Sequence, residues 1–235
     1  MPFVMKVTNP GLELVFADSG ITYSYIGRAG LVSVAQASGG QVTKGRGVST
    51  YNIDWPGDIL VALPVKANGT TSLINTSKSG NTWTILVHKG TGAIDANGFD
   101  IEEATEVYVF GTPGAEHGWG GWLYDASRTC VADLSRIPLT WRARASMGAN
   151  VLSWPLPGGV GVPALVGWPM DRNVTSVREV PFYINRYQAR GWQLNGGNLV
   201  RNIYQDRWVR EDGGASPVDL IRPIDAILID AWNLN

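Results

Sequence analysis

Few side chains in this 235-residue sequence are of the types that do chemistry. Histidine occurs twice, at His88 and His117, and cysteine once, at Cys130. No His-Glu-x-x-His pair and no paired-cysteine spacing is present, so a zinc site has no basis in the sequence. His117 follows Glu116 inside the glycine-rich run Gly111–Gly121, where the two could hold a metal or act as a base, but a histidine in such a run reads more simply as a solvated loop residue. A Gly-x-Ser-x-Gly turn is absent, which excludes a nucleophile elbow. Gly158-Gly159-Val160-Gly161 runs into Val-Pro and cannot open a phosphate-binding helix in the usual way. Two acidic groups remain: Asp54 with Asp58, and Glu102, Glu103 and Glu106. Glycoside hydrolysis needs two carboxylates about 5–10 Å apart across a cleft. Glu102 and Glu106 read instead as solvent-facing residues at the entrance of a strand. The residues therefore assign no catalytic group, no cofactor and no metal.

What the sequence has in quantity is aromatic surface. It holds ten Trp, only 17% charged residues and 44% hydrophobic ones, against about 25% charged in an average soluble domain. Large amphipathic rings on a chain poor in charge suit packing and burial against neighbours. Trp119 and Trp122, in or beside the glycine-rich loop, would also suit the flat face of a saccharide. The net charge of −1 steers the chain toward neither nucleic acid nor an anionic membrane. No stretch approaches 18 apolar residues, so no membrane span is expected. The N-terminal residues lack the pattern of a signal peptide. A single cysteine rules out an intrachain disulfide. Without a secretion signal, the glycosylation-type triplets at Asn68, Asn75 and Asn173 read as coincidence.

These side chains must be positioned by strands. Ile59–Val65 is apolar on both faces, like a buried strand, and Trp83–His88 and Glu106–Phe110 are rich in β-branched and aromatic residues. Turn clusters at Ala67-Asn68-Gly69, Ser77–Asn81 and 95–98 separate them. The strongest helical stretch, Gly197–Val209, is interrupted by strand formers. Met147–Pro169 is dense in Gly and Pro, which argues against a central strand there, and Leu220–Trp232 reads as a closing strand. The pattern predicts an all-β fold: an antiparallel sandwich-like domain over residues 1–146, followed by an extended, Pro/Gly- and Trp-rich region over 147–235.

A short pattern recurs at an offset of 108 residues. Val15, Phe16, Ser19, Ile26, Arg28 and Leu31 match Leu123, Tyr124, Ser127, Leu134, Arg136 and Leu139. Each copy has an apolar triplet, a polar turn, a half-apolar run and an arginine, as a β-hairpin is written. The expectation is two related hairpins, over 10–35 and 118–142, with Arg28 and Arg136 in equivalent places.

Gly11-Leu12-Glu13-Leu14-Val15-Phe16-Ala17-Asp18-Ser19 through Arg28, the bend Trp55-Pro56-Gly57-Asp58 before Ile59–Val65, the short strand at Asn81–Val87, and Gly121–Asp133 closed by Arg136-Ile-Pro-Leu139 together resemble small β-rich tail and baseplate proteins of tailed bacteriophages. The likeness covers roughly residues 10–142. It implies a non-enzymatic virion protein of the tail tip, baseplate or fibre attachment, made in the bacterial cytoplasm. Such a protein works by assembly with other tail proteins, as a symmetric homo-oligomer. A receptor- or carbohydrate-binding module at the same tail tip is the alternative, and a glycan-degrading enzyme a more distant third. On the assembly reading, Trp119, Trp122, Trp154, Trp168, Trp192, Trp208 and Trp232 are the expected interface residues, with Trp192 and Trp208 as buried anchors.

Overall fold

The computed structural model describes residues 4–9, 12–17, 21–36, 43–44, 47–94, 96, 100–114, 121–125, 127–140, 142–147, 153–166, 171–211, 218–219 and 224–234. The chain opens with β1 (Val4–Asn9), β2 (Leu12–Ala17), β3 (Ser24–Arg28), β4 (Gly30–Ala35), β5 (Thr43–Lys44), β6 (Val48–Asp54) and β7 (Ile59–Pro64). It continues through β8 (Thr71–Ser79), β9 (Thr82–Ile94), β10 (Asp100–Glu102), β11 (Tyr108–Gly111), β12 (Trp122–Tyr124), β13 (Cys130–Asp133) and β14 (Ala143–Met147). The last strands are β15 (Ser153–Pro155), β16 (Pro163–Val166), β17 (Asp171–Glu179), β18 (Phe182–Asn195), β19 (Asn198–Glu211), β20 (Val218–Asp219) and β21 (Ile224–Asp230). A single 3₁₀ turn, Ala231–Leu234, follows. Every pairing among the described residues is antiparallel, and none of them forms an α-helix, as the all-β reading expects.

Two sheets carry the architecture. One has six strands in the order β14-β21-β16-β7-β11-β3. The other runs β15-β19-β18-β8-β9-β6-β4, with β10 added on β9, β17 on β18, β20 on β17 and β5 on β19. Side chains alternate across a strand, and this decides what each face of the six-stranded sheet buries. Val61, Leu63, Val107 and Val109 point to one face, where they pack with Tyr51, Ile85 and Val87 of the larger sheet. Further along the same face, Val65, Leu165 and Leu228 meet Trp192 and Leu199. Ala62, Tyr108, Phe110, Ala164, Val166 and Ile229 point the other way, toward the 3₁₀ turn and the partly buried Tyr23, Tyr25 and Leu139. A sandwich core lies between the sheets, and a second apolar layer covers the outer face of the smaller one.

Several expectations fail for identifiable reasons. Gly197–Val209 is not helical: β19 pairs with β18 from Asn195↔Asn198 to Tyr183↔Glu211. Gly196 and Gly197, at φ +54° and +81°, form the two-residue turn of that hairpin, and a type I′ turn needs positive φ at both positions. Residue 147 does not divide the fold. β16 and β21, from the second half of the chain, lie between β14 and β7 of the first, and Val65 shares a core with Trp192. The prolines that suggested an extended region stand at strand ends: Pro155 closes the edge strand β15, and Pro163 opens β16.

The repeated pattern is not a repeated hairpin. β12 does pair with β13, but β2 pairs with β1, and β3 pairs with β11. The two stretches instead touch each other, through Thr22 N–H to Val131 O at 2.8 Å, Tyr25 N–H to Ile137 O at 2.7 Å and Leu139 N–H to Tyr23 O at 2.7 Å. Arg28 lies over the Tyr108 ring at 5.5 Å. Arg136 lies over Trp55 at 5.2 Å and donates to Asp133 at 3.1 Å.

Candidate functional site

Among the described residues, a group of titratable side chains lies largely inside the protein. His88 on β9 and Glu102 on β10 are both fully buried, with Nδ1 2.8 Å from Oε2. Gly47 O lies 3.2 Å from the same Nδ1. Both neighbours are acceptors, so Nδ1 carries the proton. The other carboxylate oxygen, Oε1, accepts from Ser49 Oγ at 2.8 Å and from the Lys89 backbone N–H at 3.0 Å. The buried Lys89 ammonium donates to Glu103 at 2.8 Å and to Asn68 O at 2.7 Å. A Cβ on Gly47 would fall 2.3 Å from Glu102 Cβ, so the carboxylate can approach only because residue 47 is glycine. Outside the carboxylate, Gln36 and the Glu102 backbone exchange two hydrogen bonds, of 2.9 and 3.0 Å.

This arrangement corrects the expectation that Glu102 faces solvent. Strand entrances favour exposed carboxylates only when no donors converge on them, and here Ser49 and the Lys89 N–H do, with His88 beside them. Glu106 matches the expectation better: it is partly exposed, beside Lys66 at 3.0 Å. Burial raises its pKa, but the Lys66 hydrogen bond and charge outweigh this and hold it below the usual glutamate value. Asp54 and Asp58 are exposed on either side of the Trp55–Gly57 bend. The His88 group ties together β6, β9, β10 and the end of β4. Its polar atoms are turned inward, where a substrate cannot reach them. Among the described residues, no group of three His, Cys, Asp or Glu side chains is placed to hold a metal ion. No helix there is long and apolar enough to cross a membrane.

The expected interface tryptophans separate on inspection. Trp192 is buried in the chain's own core against Val65, Leu165, Leu199 and Leu228, with Arg201 at 5.9 Å from its ring. It is an internal anchor, so the expectation of contact with another chain fails there. Trp154 packs on the edge of the same core, and Trp122 is half-buried on β12. Trp232 is 66% exposed. Trp119 and Trp168 lie outside the described residues, as do His117 and Glu116, and Trp208 is placed only by its backbone on β19. Two rings not singled out in the sequence have clear tasks. Trp55 Nε1 donates to Thr112 O and Trp83 Nε1 to Gly57 O, each at 3.1 Å, and these bonds fix the bend before β7. The Trp-Pro-Gly-Asp turn was the available signal.

The feature most open to another molecule is the edge strand β4. Among the described residues it pairs only with β6, through Gly30↔Asn52 to Ala35↔Val48, with a bulge between Leu31 and Ser33. All six of its residues are exposed, including Leu31 at 50%, Val32 at 58% and Val34 at 38%. An edge strand offers unpaired N–H and C=O groups, and free proteins usually protect such an edge with charge, proline or shortness. β4 carries neither charge nor proline. Comparison of the chain with protein-family models, curated proteins and solved structures finds no match.

Proposed function

We propose that this chain is a non-enzymatic structural protein that works by assembly, and that its assembly is the tail of a bacteriophage. The observation that carries the assembly reading is β4: a six-residue apolar edge strand exposed along its whole length. A second copy of the chain, or a neighbouring tail protein, would add a strand there, main-chain hydrogen bonds giving affinity and the three apolar side chains giving register. The sealing of the His88–Glu102 group is in keeping with a role without bond chemistry. The phage context rests on the resemblance of residues 10–142 to small tail proteins.

Val32→Lys combined with Val34→Lys tests the proposal. Both side chains already face solvent, so folding is kept while the edge becomes charged. Multi-angle light scattering of the wild-type chain should show an oligomer that this variant lacks. An oligomer of equal size and concentration dependence in the variant would refute the use of β4.

A further inference from the structure

A cleft of about 240 Å³ opens between Ile137, Pro138, Thr140 and Arg142 on one side and the terminal 3₁₀ turn Ala231–Leu234 on the other. It lies on the outer side of the six-stranded sheet, away from β4. Its floor is apolar, made by the buried Phe110 and Ile229. Its rim holds Thr140, Arg142, Asp230 and Asn233, together with the largely exposed ring of Trp232. An apolar cavity with a few convergent polar groups is the usual make-up of a small-molecule site.

The parts are held in place. Asp230 Oδ1 accepts from the backbone N–H groups of Val162 at 3.0 Å and Trp232 at 3.2 Å, and Oδ2 accepts from Gly161 N–H at 3.1 Å. Burial works against ionisation of this carboxyl, but those three donors and Arg142 prevail and hold its pKa below the ordinary aspartate value. The Arg142 guanidinium is 3.9 Å from Oδ2, too far for a hydrogen bond, so its donors stay available to a ligand. The Trp232 ring rests on Gly161: a Cβ there would come within 3.3 Å of Cε3. That contact fixes the ring and leaves its remaining surface to solvent.

These groups select a chemistry. Asp230 and Arg142 are the two charged side chains among the described residues lining the cleft, and they are of opposite sign and adjacent. A ligand with net charge would meet one like charge whichever way it turned. A pair of neighbouring hydroxyls, donating to the carboxylate and accepting from the guanidinium, satisfies both. Thr140 and Asn233 add further donors and acceptors on the same rim. The exposed indole asks for a flat apolar face. A pyranose presents hydroxyls around its edge and C–H bonds on its face, which matches both demands.

We propose that this cleft binds a neutral saccharide, with Trp232 as the stacking platform and Asp230 and Arg142 as the hydroxyl-binding pair. The site is separate from the β4 edge and does not depend on how the chain assembles.

The test uses the full chain, ¹⁵N-labelled on tryptophan, titrated with methyl α-D-glucopyranoside, methyl α-D-mannopyranoside and methyl β-D-galactopyranoside. N-acetylneuraminic acid and glucosamine serve as anionic and cationic counterparts. The expected result is a saturable shift of the Trp232 indole N–H with at least one neutral glycoside, and weaker binding of both charged sugars. Saturation-transfer signals should be strongest on the C–H protons of one sugar face. Trp232→Ala should weaken binding by about tenfold or more, equivalent to about 1.4 kcal/mol. Gly161→Ala, which crowds the back of the ring, should weaken it too, with circular dichroism and melting unchanged. Tyr124→Ala, an exposed aromatic on β12, should leave binding intact. Failure of all three neutral glycosides to shift the indole, a preference for either charged sugar, or unchanged affinity in Trp232→Ala would each overturn the proposal.

Discussion

Glu102→Ala should cost the fold about 3–5 kcal/mol, because it takes a buried carboxylate away from the groups gathered round it. The structure lets this be worked through donor by donor. Two donors bond the carboxylate through Oε1, Ser49 Oγ–H and the Lys89 backbone N–H, while His88 Nδ1 lies 2.8 Å from Oε2. Without it, Ser49 can turn to Glu103 O, 3.3 Å away, and His88 can lean on Gly47 O at 3.2 Å. The Lys89 N–H loses its buried Oε1 partner, at a cost of about 1–3 kcal/mol. The loss of the charge-assisted Ser49 bond and of the close His88–carboxylate contact adds about 1 kcal/mol each, which brings the sum into the same range. Glu102→Gln should cost far less, about 1–2 kcal/mol. Its amide oxygen keeps Ser49 and Lys89, and its nitrogen can donate to His88 once the imidazole moves its proton from Nδ1. Urea unfolding at neutral pH, followed by tryptophan fluorescence, measures both variants, and the slope m should not change. Equal losses for Ala and Gln, or a loss below about 1 kcal/mol for Ala, would refute the view that this carboxylate organises the group.

Three further outcomes follow from the packing. Trp192→Ala should destabilise the monomer by about 3–5 kcal/mol through loss of its ring from the core, as chemical denaturation would show. A chain ending at residue 146 should lack the near-ultraviolet circular dichroism and cooperative melting of the full chain, because β7 loses β16, and β14 loses β21. The folded pKa of Asp230 is below its unfolded value, so the stability it supplies is complete above the ordinary aspartate pKa and is lost as pH falls through the lower, folded one. Asp230→Asn should flatten that acid limb in melting curves recorded from neutral pH downward.

The sequence shows the fold where single strands announce themselves. Ile59–Pro64 is apolar on both faces because its sheet is covered on both sides, and Ile224–Asp230 is legible for the same reason. It conceals what depends on distant partners. Glu102 looks like a surface carboxylate until Ser49, 53 residues earlier, and His88 are brought to it. Trp192 and Trp232 are the same residue type in similarly turn-rich surroundings, yet one is buried by strands on both sides of residue 147 and the other is exposed. The β19 strand resembles a helix in sequence because apolar residues at Leu199, Val200, Ile203 and Val209 suit either periodicity, whereas the turn Asn195-Gly196-Gly197-Asn198 favours the hairpin. The 108-residue pattern recorded a real spatial relation of another kind: the two stretches are neighbours and not copies. The openness of β4 could not be read at all, since Leu-Val-Ser-Val would serve equally well in a sheet's interior.

The central claim, that β4 is the strand through which this protein assembles, is tested most directly by hydrogen–deuterium exchange of the amides of Gly30–Ala35 in dilute and in assembled protein. The amides that point away from β6 should exchange rapidly in the dilute chain and become protected on assembly, while those bonded to β6 change little. Assembly that leaves the outward-facing amides of β4 unprotected, with new protection confined to other surfaces, would contradict the account.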